Sequence, residues 1–406
     1  MTARATDTAA AGATDWRVVV TLVSAGLVVA FQVGKLAATL PVVAAELGMG
    51  AALSGAVLGG FNLVAALTGV LVGVATGRIG TERAVLVGLA VVALGSAAGA
   101  AATGPWMLLL STVVEGTGFV VVAVAAPSLV AGATTAGDRS VALGLWGTYM
   151  PGGQAVMILM APFLVAAAGW RGLWLVNAAV LVAVGVLAHR VLGTHAAGTG
   201  RPADGTIRDI TTALRAPGPR LLALAFAGYS LQFVAVAGFL PTVYAEQGLD
   251  PGTGALLTAA VVLMNVAGNL GAGVLLRRGA PRWLLIAVAA GVMGAAAVGV
   301  YAAALPFAAS YACALVFSAV GGLLPAAVLA GVPVLAPRPD LVPVTNGLVV
   351  QGIGIGMVAG PVTAGALAQW AGGWHATPLV VTTAAALVVV VAFRLRRIEI
   401  PPAVDA

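Results

Sequence analysis

Residues 105–132 read PWMLLLSTVVEGTGFVVVAVAAPSLVAG, and Glu115 is the only charged side chain among them. About 20 apolar residues in a helix cross the hydrocarbon core of a bilayer, so this segment is long enough to span a membrane. The strands of a membrane barrel would instead alternate polar and apolar residues over about ten positions. The segment therefore predicts a transmembrane helix.

Similar apolar segments follow one another along the chain, separated by charged residues and by clusters of Pro and Gly. The sequence predicts twelve spans, at 17–41, 51–76, 84–103, 105–132, 141–168, 172–193, 220–244, 253–276, 283–304, 306–336, 343–370 and 375–394. We therefore expect an all-α membrane protein. The first segment is too long for the apolar core of a signal peptide and is interpreted as the first span.

The composition excludes a soluble fold and several functions. Hydrophobic residues make up 61% of the 406 and charged residues only 8%, against about 25% charged in soluble domains. The net charge of +6 does not indicate nucleic-acid binding, because the arginines lie at span ends and form no stripe with aromatic residues. Cys313 is alone, and His189, His195 and His375 lie at span ends, so we expect no metal, cofactor or enzymatic activity.

The arginines predict the orientation. If the N-terminus is cytoplasmic, 17 of the 19 basic residues fall on the cytoplasmic side, with Arg171 outside and Lys35 within the membrane. The positive-inside rule then places both termini in the cytoplasm, as a tail at 1–16 and a tail at 395–406. The expected location is the cell (inner) membrane, with multiple passes.

The chain divides into two related halves. A break at 194–219, rich in Gly, Pro and Arg, predicts a flexible cytoplasmic linker between six-helix bundles at 17–193 and 220–394. Gly144-Leu145 recurs as Gly347-Leu348, and Gly69-Val70-Leu71 recurs as Gly273-Val274-Leu275. Gly169-Trp170 recurs as Gly373-Trp374. Such duplication is typical of transporters.

The turn after the second span carries a recognisable motif. Its residues GVATGRIGTER run from Gly73 to Arg83, and Arg78 and Gly80 lie between them. This turn resembles the cytoplasmic gate motif of the major facilitator superfamily, although Gly77 stands where the family has an Asp. A plain positively charged turn that ends in Gly is the alternative.

Two further spans extend the resemblance. The fourth contains Thr112-Val-Val-Glu115-Gly-Thr-Gly118 followed by Ala126-Pro127, and the fifth contains GLWGTYMPGGQ from Gly144 to Gln154. Together they are most similar to the cyanate and 2-nitroimidazole transporter branch. The resemblance implies the major facilitator fold, with two pseudo-symmetric six-helix bundles, in which spans one, four, seven and ten line a central cavity.

Glycine ladders mark close helix packing. Gly69, Gly73 and Gly77 expose backbone along one face of the second span, and Gly352, Gly356 and Gly360 do so on the eleventh. By the resemblance these two spans meet between the halves, so the ladders would let the halves rock; static packing is the alternative. Gly356 to Pro361 also resembles the antiporter motif of drug exporters, but that motif belongs to the fifth span.

Lys35 and Glu115 are the two charges deep within spans. An intramembrane ion costs about 2.5–3.5 kcal/mol on insertion scales, which favours a functional role. At ~1.5 Å per residue, Lys35 lies roughly 9 Å and Glu115 roughly 15 Å from the outer span ends. We predict that Lys35 attracts a solute and that Glu115 is a candidate for proton coupling. A structural ion pair that only joins two helices is the alternative.

Neutral polar and aromatic side chains complete the predicted solute site. The further candidates are Tyr149, Gln154, Tyr229, Gln232 and Phe233. Asn62, Asn265 and Asn269 are also within spans. A solute site needs a few convergent polar groups, but any of these could instead satisfy helix backbones.

These features predict a secondary active transporter that moves a small polar or anionic solute by alternating access. Protons are the candidate coupling ion. A multidrug or metabolite exporter that works as a proton antiporter is the alternative within transport. A membrane sensor is the alternative outside it. The expected partners are a small-molecule substrate and the lipid bilayer, without nucleic acid, and the chain is expected to act as a monomer.

Overall fold

The computed structural model describes residues 13–49, 51–193, 207–302 and 305–399, and these residues are almost entirely helical, with no strand among them. The helices are α1 Trp16–Glu46, α2 Ala51–Ile79, α3 Thr81–Ala100, α4 Pro105–Gly132, α5 Arg139–Gly147, α6 Tyr149–Gly193, α7 Ile207–Arg215, α8 Pro217–Ala237, α9 Leu240–Glu246, α10 Pro251–Arg277, α11 Arg282–Val300, α12 Phe307–Gly321, α13 Leu323–Leu335, α14 Val342–Ala371 and α15 Thr377–Glu399. Short 3₁₀ turns lie at Pro339–Leu341 and Trp374–Ala376.

The predicted twelve crossings are confirmed. The described residues contain 11 segments that are apolar and long enough to cross a membrane, and one of them, Arg139–Gly193, has 55 residues. That length far exceeds the roughly 20 residues needed for one crossing. The segment is interrupted at Gly169, whose φ of 67° and ψ of 175° end one helix and start the next. It therefore crosses twice, on either side of a glycine that tolerates this backbone conformation.

Local sequence explains where helices begin and end. The Asp15 side chain accepts hydrogen bonds from the backbone N–H groups of Arg17 and Val18 and so caps α1. Proline occupies the first turn of α4, α8 and α10, where its missing N–H costs little. Gly80, with φ of 87°, links α2 to α3 in a conformation that other residues rarely adopt.

The most extensive contacts between the two halves are those of α2 with α14 and of α5 with α10. A Cβ placed on Gly69 would lie 2.6 Å from the carbonyl oxygen of Gly347. At the second seam, a Cβ placed on Gly144 would lie 3.1 Å from the Cα of Gly273. The repeated glycines of one half thus pack against the repeated glycines of the other.

The second predicted glycine ladder faces elsewhere. Gly352, Gly356 and Gly360 pack against α8 within the C-terminal half, and a Cβ on Gly360 would lie 2.7 Å from the carbonyl oxygen of Leu231. The expectation that this ladder lies between the halves is therefore corrected. Residues at i, i+4 and i+8 share one face of a helix, and that face of α14 is turned toward its own bundle.

Different glycines of α14 contact the N-terminal half. Gly347 faces Gly69, and a Cβ on Gly354 would lie 2.7 Å from the carbonyl carbon of Ala65. Pro361 lies inside the same helix, and Gly77 is half-buried on α2.

Part of the predicted flexible linker is helical. Residues 194–206 lie outside the described residues, but α7 occupies 207–215. Arg338, after α13, donates to the Asp209 carboxylate of α7 at 3.0 Å. Ala213 of α7 forms a small apolar cluster with Leu341, Val344 and Val74. The expected flexibility is therefore corrected for 207–215, because α7 is packed against both halves.

Candidate functional site

A cavity lies between the halves near the middle of the crossings. Among the described residues, those that line the cavity carry no charge. They are mostly aromatic and aliphatic, with a few neutral polar side chains. The lining residues are Phe61, Asn62, Ala65, Phe119, Ala123, Gly147, Tyr149, Met150, Pro151, Gln154, Phe226, Tyr229, Ser230, Phe233, Val234, Asn265, Pro325, Leu329, Val350, Ile353 and Met357. Both halves contribute, so relative motion of the halves changes the cavity's shape.

Each half supplies a row of aromatic rings. In the N-terminal half the ring centroids of Phe61 and Phe119 are 4.8 Å apart, and those of Phe119 and Tyr149 are 6.2 Å apart. Such separations are typical of favourable aromatic pairs. These three rings come from α2, α4 and α6, so tertiary packing alone brings them together.

The C-terminal row lies on one helix. Phe226, Tyr229 and Phe233 follow each other along α8, with centroid separations of 5.6 and 5.7 Å. Their spacing of three and four residues places them on one helix face. The cavity is thus bounded by one aromatic row from each half.

Polar contacts hold Tyr229 in place. The Asn265 side-chain amide donates to the Tyr229 hydroxyl at 2.9 Å and to the carbonyl oxygen of Ser318 at 3.1 Å. Asn269 in turn donates to the Asn265 side-chain oxygen at 2.9 Å. Because the Tyr229 hydroxyl accepts from Asn265, its own hydrogen is available to donate to a solute.

Lys35 and Glu115 pair with each other within the N-terminal bundle. The Lys35 Nζ is 2.6 Å from the Glu115 Oε1, and both side chains are fully buried. Lys35 also donates to the Ser96 hydroxyl at 3.2 Å and lies 4.2 Å from the centroid of the Trp174 ring. The pair therefore joins α1 to α4, with contacts to α3 and α6. Removing only one partner of such a buried pair strongly destabilises the fold, because the other charge is left buried without a partner.

The structure separates the six predicted solute ligands into two groups. Tyr149, Gln154, Tyr229 and Phe233 line the cavity. Lys35 and Gln232 do not line it. The Gln232 amide donates to the carbonyl oxygen of Gly228 at 3.2 Å, as expected for a polar side chain that satisfies its own helix.

Sequence reasoning missed three of the aromatic residues. Phe226 precedes Tyr229 by three positions on α8, and this spacing was available in the sequence. Phe61 and Phe119 carry no local signal, because their partner rings are on other helices.

The cavity is closed toward the arginine-bearing helix ends. The Asn346 side chain, on α14, donates across the seam to the carbonyl oxygens of Ala123 and Val124 on α4, at 3.1 and 2.7 Å. Asn346 is fully buried. This amide must leave both acceptors before the halves can separate at that side.

The gate-motif residues lie near the same closure. A Cβ on Gly73 would lie 2.7 Å from the carbonyl oxygen of Pro343, so α2 and α14 touch through bare backbone. Gly80 forms the turn, and Arg78 and Arg83 are exposed around it.

The opposite ends of the halves carry a repeated hydrogen bond. The Trp170 indole donates to Glu46 at 2.6 Å, and the Trp374 indole donates to Glu246 at 3.0 Å. Arg171 also donates to Glu46. The hydrogen bonds from Arg171 and Trp170 hold the pKa of Glu46 below its usual value near 4.5.

Twelve crossings in two halves around a central cavity are the architecture of membrane transporters. The sequence profile of the Major Facilitator Superfamily matches residues 22–339, and the chain belongs to this superfamily. No curated protein sequence matches the chain.

Solved structures share the fold at low sequence identity. A variant of the fucose:proton symporter FucP of E. coli is 17% identical, with a TM-score of 0.73, over 93% of this chain and 98% of FucP. The proton:xylose symporter XylE is 14% identical, with a TM-score of 0.72, over 95% and 96% of the two chains. The human organic anion transporter MFSD10 is 16% identical, with a TM-score of 0.70, over 94% and 99%. At these identities the similarity shows the fold alone.

Proposed function

We propose that this protein is a secondary active transporter for a small, neutral organic solute that combines a flat aromatic ring with a few hydrogen-bonding groups. The observation that carries this proposal is the pair of aromatic rows, one from each half, that face the same cavity. A ring stacked on such rows gains about 0.5–1.5 kcal/mol per aromatic pair beyond its buried area.

The polar groups of the cavity support a neutral rather than a charged solute. Asn62, Gln154, Ser230 and the Tyr229 hydroxyl can donate or accept hydrogen bonds, and none of them is charged. A charged solute would lose hydration without gaining a partner of opposite charge among the described lining residues, which is costly. Of the two solutes named in the branch that the sequence resembles, 2-nitroimidazole has the flat ring that cyanate lacks.

A second candidate is a small anion, and the fully buried Lys35 favours it. In this hypothesis the Lys35 ammonium leaves Glu115 and turns to the solute as the halves move. Proton coupling follows from the same pair, because a proton on Glu115 would release Lys35 from its carboxylate partner. FucP is described as a fucose:proton symporter and XylE as a proton:xylose symporter, which is consistent with a proton as the coupling ion here.

The orientation is part of the proposal. With both termini in the cytoplasm, the Asn346 contacts close the cytoplasmic side of the cavity. The location proposed is the inner or plasma membrane. The antiporter alternative would use the same cavity in the export direction.

The test is a thermal-shift screen of purified protein, followed by flux in proteoliposomes. The screen compares 2-nitroimidazole, cyanate and a cationic drug. We expect stabilisation by the nitroimidazole and saturable uptake that a proton gradient accelerates. Stabilisation by cyanate alone would favour the anion hypothesis, and stabilisation by the cationic drug alone would favour the exporter.

A further inference from the structure

The α10–α11 turn and the end of α15 meet at one corner of the C-terminal half. Arg282 pairs with Glu399 at 3.1 Å, and the Arg396 guanidinium lies 5.0 Å from the centroid of the Trp283 ring. Trp283 also packs on Phe393, with ring centroids 5.7 Å apart. These contacts fix the two helix ends side by side.

Six arginines lie on the chain segments that form this corner, which we call the arginine corner. They are Arg277, Arg278, Arg282, Arg394, Arg396 and Arg397. Glu399 is the one carboxylate that the described residues place among them, so six positive charges against one negative charge leave +5. Arg277, Arg278, Arg394 and Arg397 are exposed, and no described carboxylate lies within ion-pair range of them.

The duplicated half provides an internal comparison. The equivalent corner of the N-terminal half comprises the α2–α3 turn and the end of α6, where Arg78, Arg83 and Arg190 accompany Glu82. Three positive charges against one negative charge leave +2 there. Both corners satisfy the positive-inside rule. The additional charge of the arginine corner therefore exceeds what orientation requires.

Apolar side chains adjoin the arginines on the same helices. Leu284, Val390 and Phe393 are exposed by 40%, 52% and 49%. They lie within a few residues of Arg282 and Arg394 on segments that cross the membrane. A ligand at this corner thus meets positive charge at one end and a lipid-facing apolar surface at the other.

We propose that the arginine corner binds an anionic phospholipid, with its phosphate headgroup held by Arg277, Arg278, Arg394 and Arg397. Its acyl chains lie along the exposed face of α11 and α15. Arginine suits this ligand because its planar guanidinium donates two parallel hydrogen bonds to phosphate oxygens. An amphipathic ligand uses both the charge and the apolar face, whereas a free anion uses the charge alone.

The experiment measures lipid binding to the full-length protein in detergent by native mass spectrometry. The probes are phosphatidylglycerol, phosphatidylcholine with the same acyl chains, and soluble glycerol phosphate. The test variant is Arg277→Gln/Arg278→Gln/Arg394→Gln/Arg397→Gln, which leaves the Arg282–Glu399 pair and the Arg396–Trp283 contact intact.

The control variant removes the same charge from exposed arginines elsewhere on the same side of the protein. It is Arg190→Gln/Arg208→Gln/Arg215→Gln/Arg220→Gln. Because each arginine near a membrane surface contributes substantially to anionic lipid attraction, we expect the test variant to bind phosphatidylglycerol at least about tenfold more weakly. The control variant should bind it as the original protein does.

Three outcomes would overturn the proposal. One is equal loss in both variants, which would reflect total charge alone. Another is equal retention of phosphatidylglycerol and phosphatidylcholine by the original protein. The third is displacement of phosphatidylglycerol by an equal concentration of glycerol phosphate, which would indicate a site for free anions. If the test variant unfolds, the four Arg→Lys substitutions replace it. Weaker phosphatidylglycerol binding despite retained charge and fold would then support recognition by the guanidinium groups, whereas unchanged binding would contradict it.

Discussion

Gly69 on α2 and Gly347 on α14 touch backbone to backbone between the halves, since a Cβ on Gly69 would lie 2.6 Å from the carbonyl oxygen of Gly347. The related pair, Gly144 on α5 and Gly273 on α10, makes the matching contact at the other seam. Each seam joins one repeated glycine from each half. Both seams lie toward the arginine-bearing helix ends, so together they close the cavity on that side.

Gly73→Leu should disfavour the described closed seam. Its side chain would collide with the Pro343 carbonyl oxygen across the seam, and overpacking of this kind costs about 1–3 kcal/mol. We expect reduced flux with normal membrane insertion, together with greater labelling of a cysteine introduced at Val350 from the cytoplasmic side. Gly356→Leu is the matched comparison, because Gly356 faces α8 within one half. It should lower thermal stability without increasing that labelling, and equal labelling in both variants would contradict the assignment of Gly73 to the seam.

Tyr229→Ala should weaken binding of 2-nitroimidazole by about threefold to tenfold, the range that corresponds to the loss of one aromatic pair. Tyr229→Phe retains the ring and should lose less. The measurement is the ligand-induced thermal shift at graded concentrations. Tyr311→Ala is the control, since Tyr311 stacks on Phe307 away from the cavity lining. Equal weakening by Tyr229→Ala and Tyr311→Ala would count against the aromatic site.

Lys35→Ala should destabilise the fold by about 3–5 kcal/mol, because it leaves the Glu115 carboxylate buried without its partner. Solute uptake should also be lost. Lys35→Ala/Glu115→Ala removes both ions and should restore stability, as measured by thermal unfolding.

Flux in this double variant separates the roles of the pair. Recovered, proton-accelerated uptake would show that the pair only joins α1 to α4. Restored stability with uptake that no longer responds to a proton gradient would support Glu115 as the coupling group. Lys35→Arg should recover part of the activity, because it retains charge but changes the geometry.

Glu46 should make thermal stability depend on pH in the acid range. Hydrogen bonds from Arg171 and Trp170 lower its pKa in the folded state, so its contribution is present above the usual value near 4.5 and is lost as pH falls through the lowered pKa. The unfolding temperature of the Glu46→Gln variant should therefore vary less between about pH 6 and pH 3. Trp170→Phe removes one of the two donors and should give an intermediate dependence. An unchanged pH profile in Glu46→Gln would show that other groups determine acid stability.

Reporter fusions should place both termini and the 205–215 segment in the cytoplasm. The reason is the distribution of basic residues, 17 on one side of the membrane and Arg171 on the other. A periplasmic or extracellular reporter activity at 205–215 would overturn the orientation and the even number of crossings before it.

The sequence alone was sufficient to predict the fold class, the twelve crossings and the duplication. Apolar length and charged span ends are local properties, and the membrane makes helices the only economical way to satisfy the backbone. The duplication also preserved a contact between residues that are far apart in sequence. Trp170 donates to Glu46 in one half, and Trp374 donates to Glu246 in the other.

Tertiary packing decided which face of each helix meets which neighbour. Four of the six predicted ligands line the cavity, but Lys35 turns to Glu115, Ser96 and Trp174. Periodicity places residues on a helix face without saying what that face contacts, because the faces of a membrane helix differ little in hydrophobicity. For the same reason the Gly352–Gly356–Gly360 ladder faces α8, and the rings of Phe61 and Phe119 meet only in the folded bundle.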